Sequence, residues 1–475
     1  MTSTSNVNRG GSVRFRLPHA SASFWALAFF LVACIALGGS ARGDVASLIV
    51  LRPLAVLMLG FGLWRLQARQ IKAHRFLCGM AFAILAVPIM QLVPLPPALW
   101  NHLPGRGLVM EIDQVAGIGQ IWRPLSLTPA ATWNAFYATL VPFAVLILGI
   151  QLGAEEQRRL LVVAIFLCGF SALLGLIQIL GDPNSALYFY NITNNGSAVG
   201  LFANRNHQAL LLAMMLPMLA VLARGNGPGG TARRLAAITA GLVLLPLILI
   251  TGSRSGLLVA ALALLAIPFI LGRDRPVDAA VSPADTRWSG RLPFSGRVGL
   301  LLAGAGLVIL TVWLGRDLAW DRLQTFAPAE EIRAKLLPTL VAMILAYAPT
   351  GSGMGSFERI YQVHEPDSLL NPDYMNHAHN DWLEIMLNGG AAAGLLLIVA
   401  LIGLALGMKR AFFDQLVSST AIRYSRLGLV LVLLVALASA FDYPLRVPSL
   451  AALFAIAVLW ASCSLPKKQP IGAAR

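Results

Sequence analysis

The chain has 475 residues, of which 57% are hydrophobic and only 12% charged, and its mean hydropathy is +0.73. Soluble domains carry about 25% charged residues, so an ordinary water-soluble enzyme, a disordered chain and a disulfide-stapled scaffold are all excluded. The formal net charge is +15, but the basic residues fall mostly between apolar blocks, where they set topology in a membrane and do not point to nucleic acid.

In chain order, a polar and basic tail, 1–22, leads into the first apolar block. That block ends in no convincing cleavage site and is followed by many more, so it reads as a retained helix and not a signal peptide. Apolar stretches able to cross ~30 Å of hydrocarbon are read at 23–41, 46–64, 76–99, 134–152, 159–180, 207–223, 235–251, 255–272, 298–314, 383–407, 427–441 and 447–464. The fold class is thus an all-α integral membrane protein with about 12 transmembrane helices. The stretch 336–348, LLPTLVAMILAYA, is too short to span and reads as an amphipathic or re-entrant piece.

Alternating these spans from a cytoplasmic N-terminus places 24 of the 36 Lys and Arg residues on the inner side, in short basic connections. Both termini are then cytoplasmic. The organisation expected is a tail at 1–22, helices one to nine within 23–314, a large periplasmic loop at 315–382, helices ten to twelve within 383–464, and a second tail at 465–475. From Gly315 through Glu384 the chain carries 10 acids against 5 basic residues, a reversal of sign that suits the outer side. Cys34, Cys78, Cys168 and Cys463 lie in or beside apolar blocks and read as small hydrophobes.

The informative polar residues sit at the outer helix ends. LFANRNHQALLLAMMLP places Arg205 and His207 at the start of helix six, and TGSRSG places Arg254 between helices seven and eight. NHAHNDWLE places His377, His379, Asn380 and Asp381 at the entry to helix ten, and FDYPLRVPS places Asp442 and Arg446 before helix twelve. Singly, each has an ordinary explanation. An arginine at a helix end commonly snorkels to the interface, as Arg42 and Arg52 are read to do; His364 reads as a solvated side chain, and Asp381 suits a helix N-terminus. Four such segments at one face instead suggest a site. In SRSG, the small neighbours Gly252, Ser253, Ser255 and Gly256 let a ligand approach the backbone closely.

Guanidinium groups suit phosphate oxygens, and an imidazole can take the proton of an attacking hydroxyl. Arg205, Arg254 and Arg446 would hold a phosphorylated or pyrophosphorylated ligand, and a histidine would activate an acceptor alcohol. H-x-H-N-D lacks metal-ligand spacing, and no Walker loop is present. GSGMGSFERI has closely spaced glycines but no G-K-[ST] ending and no preceding strand, so it is rejected as a nucleotide site. No metal or other cofactor is expected.

LFANRNHQA at 201–209, TGSRSGLLVA at 251–260, GSGMGSFERIY at 351–361, HAHNDWLEIMLNGG at 377–390 and FDYPLRVP at 441–448, in this order, resemble the O-antigen ligases and related bacterial surface-polysaccharide polymerases. The resemblance runs from about 200 to 448. It implies an inner-membrane glycosyltransferase, independent of metal and ATP, that uses undecaprenyl-pyrophosphate-linked glycan on the periplasmic face. The acceptor would be lipid A-core for a ligase, or a second lipid-linked repeat unit for a polymerase of O-antigen, capsule or exopolysaccharide. By position Arg254 matches the arginine that contacts the donor pyrophosphate, and His379 the histidine that activates the acceptor. Arg205 and Arg446 would support the diphosphate, with His377, His207, Asn380, Asp381 and Asp442 in acceptor or supporting roles; His377 rivals His379 as base. A reading of another class is a polysaccharide-related transporter.

Overall fold

A computed structural model of the chain describes residues 20–225, 230–272, 328–370, 375–414 and 419–462, together with Gly306 and Ile309. The expected ninth span at 298–314, apart from those two helical positions, lies outside the described residues, as do most of the N-terminal tail and all of the C-terminal one.

The helices are α1 (Ala22–Leu37), α2 (Leu48–Arg65), α3 (Ala68–Ala73), α4 (Arg75–Leu92), α5 (Pro97–Trp100), α6 (Gly107–Val115), α7 (Pro129–Gly149), α8 (Ala154–Leu180), α9 (Arg205–Ala223), α10 (Gly230–Ile250), α11 (Arg254–Leu271), α12 (Pro328–Tyr347), α13 (Phe357–His364), α14 (Asp381–Met408), α15 (Thr420–Ala438) and α16 (Pro448–Ala461). Among the described residues nine are long and apolar enough to cross a membrane: α2, α4, α7, α8, α9, α10, α11, α14 with the turn that follows it, and α15. The protein is a mostly helical, multi-spanning membrane protein.

The expected spans at 23–41 and 447–464 are helical but shorter, with 16 residues in α1 and 14 in α16. α1 stops because Gly38 caps it, donating to Cys34 O at 2.9 Å, and the chain then turns against the 201–203 segment. The long helix of the block at 76–99 stops at Leu92. Pro94, Pro96 and Pro97 cannot donate to a helix ladder, and Pro94–Leu95 instead pairs antiparallel with Arg123–Pro124. α15 begins at Thr420, seven positions before its expected start, because Ser419 caps it through Ile422 N–H.

α9 is the hub. Nearly every side chain from His207 to Leu219 is buried, and α8, α10, α11 and α15 pack around it. At Gly256 a Cβ would lie 2.3 Å from Ala209 Cβ, so glycine is what lets α11 approach α9 there. α16 packs in turn against α15, α7 and α1.

The 336–348 stretch belongs to a longer helix, the 20-residue α12. Leu336, Leu340, Met343 and Tyr347 form a small separate core with Phe357, Ile360 and Tyr361 of α13 and Leu387 of α14. The glycine-rich segment 351–356 has a structural task. α14 breaks at Gly390, which adopts φ +58°. Ser352 N–H then donates to Leu387 O at 3.0 Å, Gly353 N–H to Asn388 O at 3.0 Å, and Ala391 N–H to Pro349 O at 2.8 Å. The turn supplies partners that the broken helix ladder lacks.

Candidate active site

Three helix N-termini converge on one cavity. α9 is capped by Asn204, whose side chain accepts from Asn206 N–H at 2.8 Å. α11 is capped by Ser253, which accepts from Gly256 N–H at 3.0 Å, and α14 by Asn380, which accepts from Leu383 N–H at 3.1 Å. Each cap satisfies one orphan donor of its helix, and each helix turns the positive end of its dipole toward the same space. Such convergence favours an anion.

The cavity has a volume of about 970 Å³, large enough for a substantial ligand. Arg205 and His207 of α9, Arg254 of α11, and His379 and Asn380 before α14 line it, and the 440–443 turn closes one side. Leu337 and Leu340 of α12 contribute an apolar edge, so the segment between α11 and α14 does border the site. Arg42, read from sequence as an interface anchor, lines the cavity as well. Arg52 bonds instead to Asn134 Oδ1.

His379 and Asp442 form a pair. His379 Nδ1 lies 3.1 Å from Asp442 Oδ1, which leaves Nε2 as the ring nitrogen for proton exchange. His379 holds φ +50°, the one positive value of a non-glycine among the described residues. Such a backbone costs of order 1–3 kcal/mol and persists only where its surroundings impose it. Asp442 is itself held, accepting from Tyr443 N–H at 3.0 Å, Asn206 Nδ2 at 2.8 Å and Asn204 Nδ2 at 3.3 Å, with His207 Nε2 at 3.9 Å. The Asp442 carboxylate thus ties the 440–443 turn to the start of α9 and to His379.

His377 takes a different direction. Its Nδ1 lies 3.1 Å from Glu384 Oε1, and Glu384 also accepts from Ala378 N–H at 2.9 Å. Arg446 does not line the cavity. Its guanidinium meets Asp381 Oδ1 at 3.1 Å and Glu384 Oε1 at 3.3 Å, both on buried carboxylates. Asp381 is likewise turned inward, receiving Ser439 Oγ at 3.3 Å. The buried Asp381 and Glu384 carboxylates and the half-buried His377 and Arg446 therefore make a polar network outside the cavity lining. Between the two sets stands Tyr443, whose ring centroid is 4.5 Å from that of His377, 4.8 Å from His379 and 5.2 Å from His207.

Sequence reasoning did not single out Glu384, Tyr443, Asn204 or Asn206. An acid one turn into a strongly apolar helix was a signal for Glu384, since a buried carboxylate needs a partner. The partners of Tyr443 could be found only in three dimensions. Among the described residues no three His, Cys, Asp or Glu side chains converge as metal ligands would.

Residues 235–399, about a third of the chain, match the sequence model of a family described as O-Antigen ligase. The matched stretch holds Arg254, His377, His379 and Glu384, while Arg42, Arg205, Asp442 and Arg446 lie outside it. No curated protein matches the chain.

Proposed function

We propose that this protein is a glycosyltransferase of the O-antigen ligase type. It would move a glycan from undecaprenyl pyrophosphate to a sugar hydroxyl of lipid A-core at the periplasmic face of a bacterial inner membrane. The observation that carries this reading is that the His379–Asp442 pair, at 3.1 Å, shares one cavity with Arg205 and Arg254 at two helix N-termini. A proton acceptor and an anion cradle are the two things such a transfer needs.

Arg254 and Arg205 hold the donor diphosphate and stabilise the charge that develops as it leaves. The acceptor oxygen attacks the anomeric carbon, its proton passes to His379 Nε2, and the bond from that carbon to the diphosphate oxygen breaks. The diphosphate departs on its prenyl carrier, and a direct displacement inverts the anomeric centre. The donor is already activated, so the step needs no nucleotide. Asp442 fixes the ring orientation and favours the charged imidazole that forms, the part an aspartate plays behind a catalytic histidine elsewhere. Arg446 and His377 act as positioning residues through the polar network, outside the cradle.

A repeat-unit polymerase would use the same donor and the same chemistry. A transporter would be expected to bind its substrate near the bilayer midplane, between half-helices; a cavity gathered at helix starts favours transfer over transport.

The test is complementation of a deletion strain with wild type, Arg254→Ala and His379→Ala, with membrane insertion checked. Both variants should insert and fail to restore glycan transfer. Accumulated lipid-linked polymer marks a ligase, and loss of that polymer marks a polymerase. Full restoration by both variants would overturn the assignment.

A further inference from the structure

The cavity wall carries a third guanidinium, from a part of the chain far from the matched stretch. Arg42 sits in the loop between α1 and α2, and that loop is fixed at several points. Gly38 O accepts from Ser449 N–H at 3.0 Å and from Ser449 Oγ at 2.7 Å. Gly39 N–H donates to Tyr190 Oη at 2.8 Å, and Gly39 O accepts from Ala203 N–H at 3.0 Å. A Cβ at Gly39 would fall 1.9 Å from Leu201 O, so only glycine permits this approach. At the far end Ser47 Oγ donates to Leu37 O at 2.6 Å.

These bonds join the loop directly to the segment that leads into Arg205. Arg42 lies three residues beyond Gly39, and Arg205 two residues beyond Ala203, and both side chains line the same cavity. Asp44 then fixes the guanidinium plane, with Nε to Oδ1 at 3.0 Å and Nη2 to Oδ2 at 2.6 Å. The bond from Arg42 holds the Asp44 carboxyl below its ordinary range. This ion pair takes two of the five guanidinium donors and sets the direction of the others. Among the described residues the cavity lining includes Arg42, Arg205 and Arg254 and no carboxylate-bearing side chain.

We propose that Arg42 is a third diphosphate-binding residue, acting with Arg205 and Arg254 in the cavity they share with His379 to hold the leaving group of a prenyl-diphosphate-linked donor. This deepens the transfer reading and rests on it for the identity of the ligand. Arg42 would act mainly in binding, because it belongs to neither the base nor its support.

The experiment uses the full chain in detergent or nanodiscs, with geranylgeranyl diphosphate and inorganic pyrophosphate as binding probes, and the lipid-linked donor for turnover. Losing one charge-assisted set of bonds should weaken prenyl-diphosphate binding about tenfold or more in Arg42→Ala. KM for the donor should rise by a similar factor while kcat changes little, and Arg42→Lys should recover part of the loss. Weakened binding of both probes assigns the contact to the diphosphate. Unchanged diphosphate affinity in a folded Arg42→Ala protein overturns the proposal, as does a wild type that binds neither probe. Arg42→Gln, which removes the charge but keeps much of the side chain, keeps the question answerable on the same criterion if the alanine variant fails to fold. A wild type that binds prenyl diphosphate through Arg42 yet transfers no glycan would sink the transfer reading and leave this one standing.

Discussion

His377 Nδ1 lies 3.1 Å from the buried Glu384 carboxylate, while His379, two residues on, turns to Asp442 at the same distance. His379 holds a positive φ, and the two imidazoles go to separate partners. One faces the cavity and the other the polar network outside its lining.

The two histidines should therefore fail differently. His379→Ala is expected to lower kcat by 10²–10⁴-fold, the range for a lost general base, with little effect on donor binding. His377→Ala should keep a measurable part of kcat but melt at a lower temperature, because it leaves Glu384 short of a partner. Turnover and thermal unfolding of the purified variants, measured together, check this; equal losses of kcat would refute it.

Asp442→Asn retains the size of the side chain but replaces an acceptor with an amide. It meets donors from Asn204 and Asn206 as well as His379, so the whole cluster must rearrange. We expect kcat to fall by at least about tenfold with donor affinity nearly preserved, a split seen when a histidine loses its orienting acid. Comparing single-turnover rates with prenyl-diphosphate binding decides it.

Arg446 pairs with two buried carboxylates, Asp381 and Glu384. Arg446→Met should destabilise the protein by on the order of 3–5 kcal/mol, the cost of leaving a buried charge uncompensated. Adding Asp381→Asn and Glu384→Gln should recover much of that loss. Denaturation in detergent of wild type, Arg446→Met, the Asp381→Asn/Glu384→Gln protein and the triple variant tests the coupling; additive losses would show that the network is not shared.

Gly390→Ala should be poorly tolerated for two independent reasons. The position needs φ +58°, and a Cβ would lie 2.2 Å from Pro349 O. A marked fall in melting temperature is expected, on the order of 2 kcal/mol or more. Gly60→Ala meets nothing within 4 Å and should be neutral or slightly stabilising in α2. Similar melting temperatures for the two variants would refute the structural account of the turn.

Hydropathy alone made this a multi-spanning helical protein, because a backbone in hydrocarbon must satisfy its own hydrogen bonds and apolar runs of this length leave little alternative. The sequence also marked Arg205, Arg254 and His379 as candidates, through charged and imidazole groups where apolar helices begin. It could not separate His377 from His379, since their difference lies in one backbone dihedral and in acids 7 and 63 residues away along the chain. Arg446 looked like a ligand-binding arginine until the fold placed it between two buried carboxylates. Arg42 looked like an anchor until the loop bonds to Tyr190, Ala203 and Ser449 carried it to the cavity. Composition and periodicity are local properties and are legible along the chain. Which charge faces the cavity and which is spent on a neighbour depends on contacts between distant segments, and only the packed structure decides that.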